Sequence, residues 1–375
     1  MDRPIKVLAV VFKLNRAGLE SRLMDIIRNL DIKRVQIDIY TYQLEPGVYD
    51  EEVKALGGIV YYNPPLTVKN MFWYVQYFKD FLKKHPEYKI VHAHQDAWCS
   101  VFCKGAYLAG VPIRIAHSRT AISVRSFGYI AKDIIKLPTR RYANYYFAVS
   151  KKAAIWLYGR KLYEQGKVQI WPNAIDAERF YYDETTRDKV RKENKWNEKY
   201  VIMHVGNFTA PKNHPFILEV FNEVRKKTDN ALLILVGTGD RSFIDEYIGK
   251  HDLEQCIQLL GTRGDVNELL QGADVFFFPS VFEGLPGALV EAQAAGLPCV
   301  ISNTIAEEVQ ITPNLTILSL GTPKEEWSES IIRYKNFVRE DTRKNIEEKG
   351  FDVQSLTDKL CQFYENAYEQ GEKQK

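Results

Sequence analysis

Short apolar runs alternate with helical patterns along the whole of the 375-residue chain. Between helical stretches such as Leu19–Leu30, these runs predict buried strands. In the first half the predicted strands are Lys6–Phe12, Val35–Tyr42, Ile59–Tyr62, Ile90–His94, Ile113–His117, Tyr145–Val149 and Val168–Trp171. Apolar strands separated by helices are typical of a parallel sheet covered on both faces. The pattern therefore predicts an α/β fold.

The same pattern starts again after the charged stretch Thr185–Tyr200. The strands predicted there are Val201–Val205, Leu232–Val236, Ile257–Leu260, Val275–Phe278 and Cys299–Ser302. Because proline ends a strand, we place the connection between the halves at Trp171–Ala174, which contains Pro172. We predict two facing Rossmann-like domains, residues 1–172 and 173–352, each a parallel sheet with helices on both faces. The C-terminal helix within residues 353–375 is expected to pack back on the first domain.

Composition favours a globular protein without a membrane span. Hydrophobic residues make up 45% of the chain and charged residues 26%, as in domains with a sizeable core. No stretch approaches the roughly 20 uninterrupted apolar residues that a span needs, and the N-terminal residues lack the layout of a signal peptide. We therefore expect a cytoplasmic protein, with peripheral attachment to the inner face of the membrane as a further option.

Charge is divided unevenly between the two halves. Residues 1–172 contain 27 Lys and Arg against 14 Asp and Glu, a net charge of +13, whereas residues 173–375 carry −10. A basic half favours an anionic partner, and a membrane surface, a phosphorylated acceptor and nucleic acid all have the required charge. The alternative is that the opposite charges help the two domains to face each other.

The segment 279–292, with the sequence PSVFEGLPGALVEA, carries the strongest chemical signal. It follows a predicted strand and leads into a helix, with Pro286 near the first helical position and Gly287 allowing a ligand to approach the backbone. The free N–H groups of a helix N-terminus at the edge of an α/β sheet bind anions, and a diphosphate fits such a site. This segment predicts a phosphate-binding turn.

Two glutamates in this segment, Glu283 and Glu291, are eight residues apart. A fully helical path would separate them by about 12 Å, which is more than the roughly 5–9.5 Å of the carboxylate pair in a glycoside hydrolase. The spacing better suits two carboxylates that hold different parts of one long ligand. A carboxylate accepts hydrogen bonds from two vicinal hydroxyls, as ribose or a hexose offers them.

The segment closely resembles the Glu-x7-Glu signature of glycosyltransferase family 4, the retaining enzymes with two Rossmann-like domains (the GT-B fold), and most closely the subgroup that makes bacterial exopolysaccharide and capsule. The resemblance covers nearly the whole chain. It implies that Glu291 holds the nucleotide ribose. It also implies that Glu283 and the backbone after it hold the donor sugar, with Gly284, Leu285, Pro286 and Gly287.

A second segment after a strand begins at Gly206 and reaches Lys212. A glycine turn followed by a lysine at a helix start suits a phosphate, for which lysine is a strong point-charge donor. The family has arginine where this chain has Asn207, so one cationic contact to the leaving diphosphate is missing. We assign catalytic roles to Lys212, Glu283 and His117, and we place Gly206 and Asn207 in the donor site.

Further candidates follow other strands. Arg16 and Gly18 lie in the turn that resembles the family's glycine loop, where Ala17 replaces the first glycine, and Arg16 is the residue that would supply the charge missing at Asn207. His117 ends a strand where the family often has a histidine that touches donor sugar or acceptor. Arg263 either stacks on the nucleotide base or pairs with Asp265.

Taken together, the resemblance implies a retaining, metal-independent hexosyltransferase that uses a nucleotide diphosphate donor, by family habit UDP, and transfers a hexose or N-acetylhexosamine. We expect a saccharide or lipid-diphosphate-linked acceptor, no cofactor, no bound metal and no nucleic-acid partner. His92 and His94 have no fitting carboxylate and are not predicted to form a metal site. Two alternatives stay open: a non-catalytic nucleotide-sugar-binding assembly partner, and a sugar-nucleotide epimerase or phosphorylase on the same fold.

Overall fold

The computed structural model describes residues 4–15, 18–119, 127–283 and 285–373. The chain divides into two compact units. Unit 1 contains the residues up to Ala174 and those from Val353 onward, and unit 2 contains Ile175–Asp352. The sequence analysis places its boundary at residue 172, two residues before this division.

Unit 1 is built on seven parallel strands. Their order across the sheet is β3-β2-β1-β4-β5-β6-β7. The strands are β1 Ile5–Val11, β2 Val35–Thr41, β3 Val60–Tyr62, β4 Ile90–Ala93, β5 Ile113–Ser118, β6 Tyr145–Ala148 and β7 Val168–Ile170. The order turns back between β1 and β4, which makes this the switch point of a doubly wound sheet, where ligands bind beyond the strand ends.

Helices connect these strands and cover both faces of the sheet. They are α1 Gly18–Arg28, α2 Asp50–Ala55, α3 Met71–Lys84, α4 Cys99–Ala109, α5 Phe127–Ile135, α6 Thr139–Tyr142, α7 Lys151–Tyr158, α8 Arg160–Glu164 and, from the C-terminus, α16 Val353–Lys373. Along β1, Val7 and Ala9 belong to the core that contains α1 and α16. Leu8 and Val10 are also fully buried, because successive side chains point to opposite faces of a strand that is covered on both sides.

The C-terminal helix α16 packs on the sheet of unit 1. Its residues Leu356, Leu360 and Tyr364 lie in the same core as β1, at the i, i+4, i+8 spacing of one helical face. At the surface, Arg34 donates two hydrogen bonds to Glu365, at 2.8 and 2.7 Å. Part of the core of unit 1 is thus supplied by the last segment of the chain.

Unit 2 has a six-stranded parallel sheet in the order β10-β9-β8-β11-β12-β13. The strands are β8 Tyr200–Val205, β9 Ala231–Val236, β10 Ile257–Gly261, β11 Val275–Phe278, β12 Cys299–Ser302 and β13 Leu315–Leu318. The helices are α9 Glu184–Glu193, α10 His214–Arg225, α11 Ser242–Lys250, α12 Val266–Gly272, α13 Gly287–Ala294, α14 Lys324–Ile332 and α15 Arg343–Glu348. Strand β13 was missed by the sequence analysis, because its four residues form a half-exposed edge strand without a long apolar run.

Both faces of the second sheet are covered as well. Along β8, Val201 and Met203 pack into one core, whereas Tyr200 and Ile202 pack into the other. The order turns back between β8 and β11, so the loops after these two strands meet at the ligand-binding edge. Two doubly wound parallel sheets are the Rossmann-like architecture that the sequence predicts. None of the described helices combines the length and the apolar character that a membrane crossing requires.

Candidate functional site

Two charged side chains meet at the switch point of unit 2. Lys212 lies in the loop after β8 and Glu283 in the loop after β11, and Nζ of Lys212 is 2.7 Å from Oε1 of Glu283. The two side chains are 20% and 16% exposed, so the ion pair is partly shielded from water. Lys212 also lies over the ring of Phe278, with Nζ 4.6 Å from the ring centroid. The structure thus brings together two predicted site residues that are 71 positions apart in the chain.

Hydrogen bonds to two backbone carbonyls hold the two loops together. The N–H of Val281 donates to the carbonyl of Pro211 at 2.8 Å, and the side-chain amide of Asn213 donates to the carbonyl of Pro279 at 3.1 Å. Asn213 has a left-handed backbone conformation, with φ of 60°, which asparagine tolerates better than most residues. Lys212 and Glu283 are therefore positioned by the backbone as well as by their own attraction.

Gly206 and Gly237 allow three segments to pack closely at this edge. A Cβ on Gly206 would lie 2.9 Å from Cδ and Cε of Lys212, so glycine makes room for the lysine stem. A Cβ on Gly237 would lie 2.2 Å from the carbonyl oxygen of Gly206, and the φ of Gly237 is 151°. The loop after β9 thus supports the loop that carries Lys212.

The predicted phosphate-binding turn begins helix α13. Pro286 is the extended residue before the helix, Gly287 is the first helical residue, and no described side chain caps this N-terminus. The first N–H groups of a helix have no acceptor within it. Gly287, Ala288 and Glu291 are half-buried, whereas the other residues of this helix are buried. Glu291 therefore lies on the same accessible side of the helix as its first two residues. Leu285 is buried in the core of unit 2.

Two donor-site candidates interact within unit 2 in ways that limit their roles. Asn207 is exposed, and its Oδ1 accepts a hydrogen bond from the N–H of Thr238 at 3.3 Å. Arg263 donates two hydrogen bonds to Asp265, at 2.8 and 2.5 Å. Of the two options for Arg263, pairing with Asp265 is the one seen here, and this bond lowers the pKa of Asp265.

In unit 1, the side chain of His117 is almost fully buried. It is 4% exposed, and its Nδ1 is 3.1 Å from Nε2 of His92. His92 in turn is 2.7 Å, through Nδ1, from the hydroxyl of Tyr364 on α16. The atom of His117 that remains for a ligand is Nε2, which has no hydrogen-bond partner among the described residues.

His92, His94 and His117 are close enough to bind a metal ion, with one nitrogen of each within 4.8 Å of the others. Their surroundings argue against a cation. Nε of Arg119 donates to Nδ1 of His94 at 3.3 Å, and both ring nitrogens of His92 are hydrogen-bonded. Burial first, and the charge of Arg119 as well, hold the pKa of all three histidines well below its usual range. A divalent ion would have to be placed beside a guanidinium.

Arg119 is a residue that the sequence analysis did not assign. It is 9% exposed, and burial lowers its pKa to about 10, so it stays charged at neutral pH. It donates to His94 and, through Nη1, to Asn173 at 3.0 Å, while Nη2 has no partner within the described part of the chain. Its position directly after β5 is a signal that sequence reasoning could have used.

A cavity of about 340 Å³ opens near the ends of β1 and β4 in unit 1. Two acidic residues and several aromatic side chains line it; these include Glu20, Asp96, Tyr42, Trp98 and Trp156. Burial raises the pKa of Glu20. Gly18, predicted in the nearby turn, is the first residue of α1. Arg16 and Gly284 lie outside the described residues.

Two family models match the chain, one for each half. The model of Glycosyltransferase Family 4 matches residues 16–179, and the model of Glycosyl transferases group 1 matches residues 186–353. The putative glycosyltransferase EpsF of Bacillus subtilis is 33% identical over 370 residues, which cover 96% of each chain. The capsular polysaccharide biosynthesis glycosyltransferase CapH of Staphylococcus aureus is 25% identical over 82% of this chain and 83% of its own.

Solved structures share the fold. The crystal structure of Anabaena Alr3699/HepE in complex with UDP has a TM-score of 0.74 at 17% identity and covers 97% of this chain and 98% of its own. A glycosyltransferase from Rickettsia africae has a TM-score of 0.75 at 16% identity, with 97% and 99% covered. At such identities the likeness concerns the fold alone.

Gly237→Ala should destabilise unit 2 by about 1–3 kcal/mol. The new Cβ would meet the Gly206 carbonyl oxygen at 2.2 Å, and neither backbone can yield without moving the Lys212 loop. The control is Gly249→Ala in α11, where a Cβ meets nothing within 4 Å and alanine should stabilise by about 0.5–1 kcal/mol. Denaturant unfolding measures both, and equal effects would contradict this close packing.

Proposed function

Because the chain belongs to glycosyltransferase family 4, we propose that it is a polysaccharide-biosynthesis enzyme that transfers a hexose or N-acetylhexosamine from a UDP-sugar. The observation that carries this proposal is the Lys212–Glu283 pair, 2.7 Å apart, in the loops after β8 and β11, the second of which leads to the N-terminus of α13, which no described side chain caps. A cation, free amides and a carboxylate together match the phosphate and sugar parts of such a donor.

The proposed donor site divides the ligand among neighbouring groups. The amides at Gly287 and Ala288 and the ammonium of Lys212 bind the diphosphate. Glu291 accepts hydrogen bonds from the ribose, and Glu283 accepts them from sugar hydroxyls. Glu283 can hold Lys212 and the sugar at once, because one carboxylate oxygen takes the lysine and a carboxylate has a second oxygen with two lone pairs.

The proposed reaction breaks the bond between the anomeric carbon and the phosphate oxygen and forms one from that carbon to an acceptor hydroxyl. The hydroxyl proton passes to the departing phosphate oxygen, on the face that the leaving group vacates, so the configuration is retained. Lys212 and the helix amides stabilise the negative charge of the leaving UDP, which is an electrostatic contribution made without a metal ion. With Asn207 in the family's arginine position, Lys212 carries a larger share of this contribution.

The cavity of unit 1 is our proposed site for the acceptor. Its volume of about 340 Å³ is that of a small-molecule pocket, and its aromatic and carboxylate lining suits a saccharide. A relative from Escherichia coli, 28% identical over 249 residues, is a galactosyltransferase that acts on a sugar–diphosphoundecaprenol. We therefore propose a saccharide on a lipid diphosphate as the acceptor.

A surface of unit 1 fits the membrane in which such an acceptor is held. Ile134 in the last turn of α5 and Leu137 between α5 and α6 are 64% and 51% exposed, and Arg140 and Arg141 on α6 are exposed as well. Exposed apolar side chains next to cations favour the boundary of an anionic bilayer. We propose that this surface attaches the enzyme to the membrane.

UDP binding tests the donor site. UDP at 100 times its dissociation constant should stabilise the protein by about 2.7 kcal/mol, and Glu291→Gln should abolish most of this stabilisation. Glu329→Gln, which changes an exposed glutamate on α14, is the matched control. If neither UDP nor a UDP-sugar stabilises the wild type, or if Glu291→Gln responds to UDP like the control, the assignment is wrong. A bound UDP-sugar without transfer to any lipid-linked saccharide would instead support the non-catalytic alternative.

Lys212→Met should lower kcat by about 100-fold or more, because one positioned charge-stabilising group typically contributes that much. Methionine keeps much of the apolar stem against Gly206 and Phe278. Lys226→Met removes another lysine of unit 2 that pairs with a glutamate, at 2.6 Å, and should change kcat less than twofold. Steady-state release of UDP from the donor measures both, and similar losses in the two variants would contradict a specific role for Lys212.

Arg140→Gln combined with Arg141→Gln should weaken binding to phosphatidylglycerol vesicles by about tenfold or more. The double variant Ile134→Ser and Leu137→Ser should weaken vesicle binding more than the arginine variant does at high salt, because apolar contacts dominate there. Val338→Ser, at an exposed position of unit 2, should bind like the wild type. Vesicle sedimentation measures all three, with phosphatidylcholine as the neutral lipid; wild-type binding in every variant would contradict this surface.

A further inference from the structure

A chain of three side chains in unit 1 connects the C-terminal helix to His117. The hydroxyl of Tyr364 lies 2.7 Å from Nδ1 of His92, and Nε2 of His92 lies 3.1 Å from Nδ1 of His117. All three side chains are nearly or fully buried. In each of these two hydrogen bonds one atom carries the proton and the other accepts it.

The donor and the acceptor in each of these hydrogen bonds follow from Tyr364. Burial raises the pKa of Tyr364, so the phenol keeps its proton. If His92 donated to the phenol, the phenolic proton would have no acceptor among the described residues, because His92 is its hydrogen-bond partner there. Tyr364 therefore donates to Nδ1 of His92.

The next two steps follow from the chemistry of a neutral imidazole, which has one N–H and one acceptor nitrogen. With Nδ1 of His92 as an acceptor, its Nε2 carries the proton and donates to Nδ1 of His117. His117 then carries its own proton on Nε2. Both rings are neutral because burial and the charge of Arg119 disfavour the imidazolium form.

Two donor atoms without a hydrogen-bond partner among the described residues belong to side chains that line one small cavity. His117 and Arg119 both line a cavity of about 20 Å³, and neither Nε2 of His117 nor Nη2 of Arg119 has a hydrogen-bond partner among the described residues. This space holds about one oxygen atom of water size. Both residues stand at the carboxyl end of β5, the edge of the sheet at which ligands bind.

We propose that Tyr364 is a positioning residue that acts through His92 and fixes His117 as an Nε2–H donor, and that His117 and Arg119 together bind one oxygen atom of a substrate or of the water that contacts it. This role rests on the proposed transfer reaction. Tyr364 itself touches no substrate, and its effect is to prevent the other tautomer, in which Nε2 of His117 would be an acceptor.

The first test is spectroscopic and independent of any activity. The seven histidines are labelled with ¹⁵N, and the His117 signals are assigned by their loss in His117→Gln. In the wild type, Nδ1 of His117 should show the shift of an unprotonated nitrogen and Nε2 that of an N–H. In Tyr364→Phe, which keeps the ring in the core, this preference should be reduced or reversed. Tyr368→Phe, one turn further along the same helix, is the control and should resemble the wild type.

Kinetics connect the tautomer to the reaction. Tyr364→Phe should lower kcat about fivefold to tenfold, the effect of one lost hydrogen bond, with the affinity for UDP unchanged; Tyr368→Phe should change neither. A wild-type His117 protonated on Nδ1, or a tautomer unaffected by Tyr364→Phe, would overturn the proposal whatever the enzyme transfers. A changed tautomer with unchanged kcat would overturn its role in the reaction. If UDP fails to bind the wild type, the donor assignment is wrong, but the ¹⁵N measurement still decides the tautomer independently.

Discussion

The contact between Lys212 and Glu283 is the interaction on which the candidate donor site depends. Each residue lies in a loop after a different strand of the same sheet. The two loops are joined by a backbone hydrogen bond to Pro211 and by a hydrogen bond from the Asn213 side chain to the carbonyl of Pro279. An exposed ion pair would contribute little by itself. Here the backbone holds the pair, so its ammonium and carboxylate are placed before a ligand arrives. Such preorganisation is what makes a charge effective in catalysis, because no reorganisation is needed as the negative charge develops.

This pair also links two parts of the proposed ligand. An ammonium has three donors, so Lys212 can keep its hydrogen bond to Glu283 and still bind a phosphate oxygen. A carboxylate that holds the lysine and the sugar sets the distance between the anomeric carbon and the cation that stabilises the leaving group. A ligand with a different sugar orientation would engage Glu283 poorly and leave Lys212 less well placed. Binding of the sugar and stabilisation of the phosphate are therefore coupled at one carboxylate, in keeping with the interpretation that the two glutamates of the segment hold different parts of the ligand.

The sequence was sufficient to predict the architecture and to locate the turn that begins α13. Of the thirteen strands in the described part of the chain, twelve are long or apolar enough to be predicted, whereas β13 is a short, half-exposed edge strand. The turn before α13 could be predicted because its proline and glycine suit the start of a helix and its glutamate can accept hydrogen bonds from hydroxyl groups. The burial of His117 was not predictable, since it depends on His92 and Tyr364, which come from two distant places in the chain. Arg263 shows the same limit: the residues allowed two partners, and only the fold brings Asp265 into bidentate geometry with it.

Arg119 explains why His92, His94 and His117 form a hydrogen-bonded network of neutral side chains and not a metal site. A buried guanidinium without a carboxylate in its hydrogen bonds is costly, and a neutral histidine beside it offers a lone pair that partly replaces water. Nδ1 of His94 serves this purpose, which requires the histidines to stay neutral. A neutral imidazole, unlike an imidazolium, has two tautomers, so its surroundings must select one of them. Within unit 1 that selection falls to Tyr364, and this gives the C-terminal helix a chemical connection to the end of β5 in addition to its packing on the sheet.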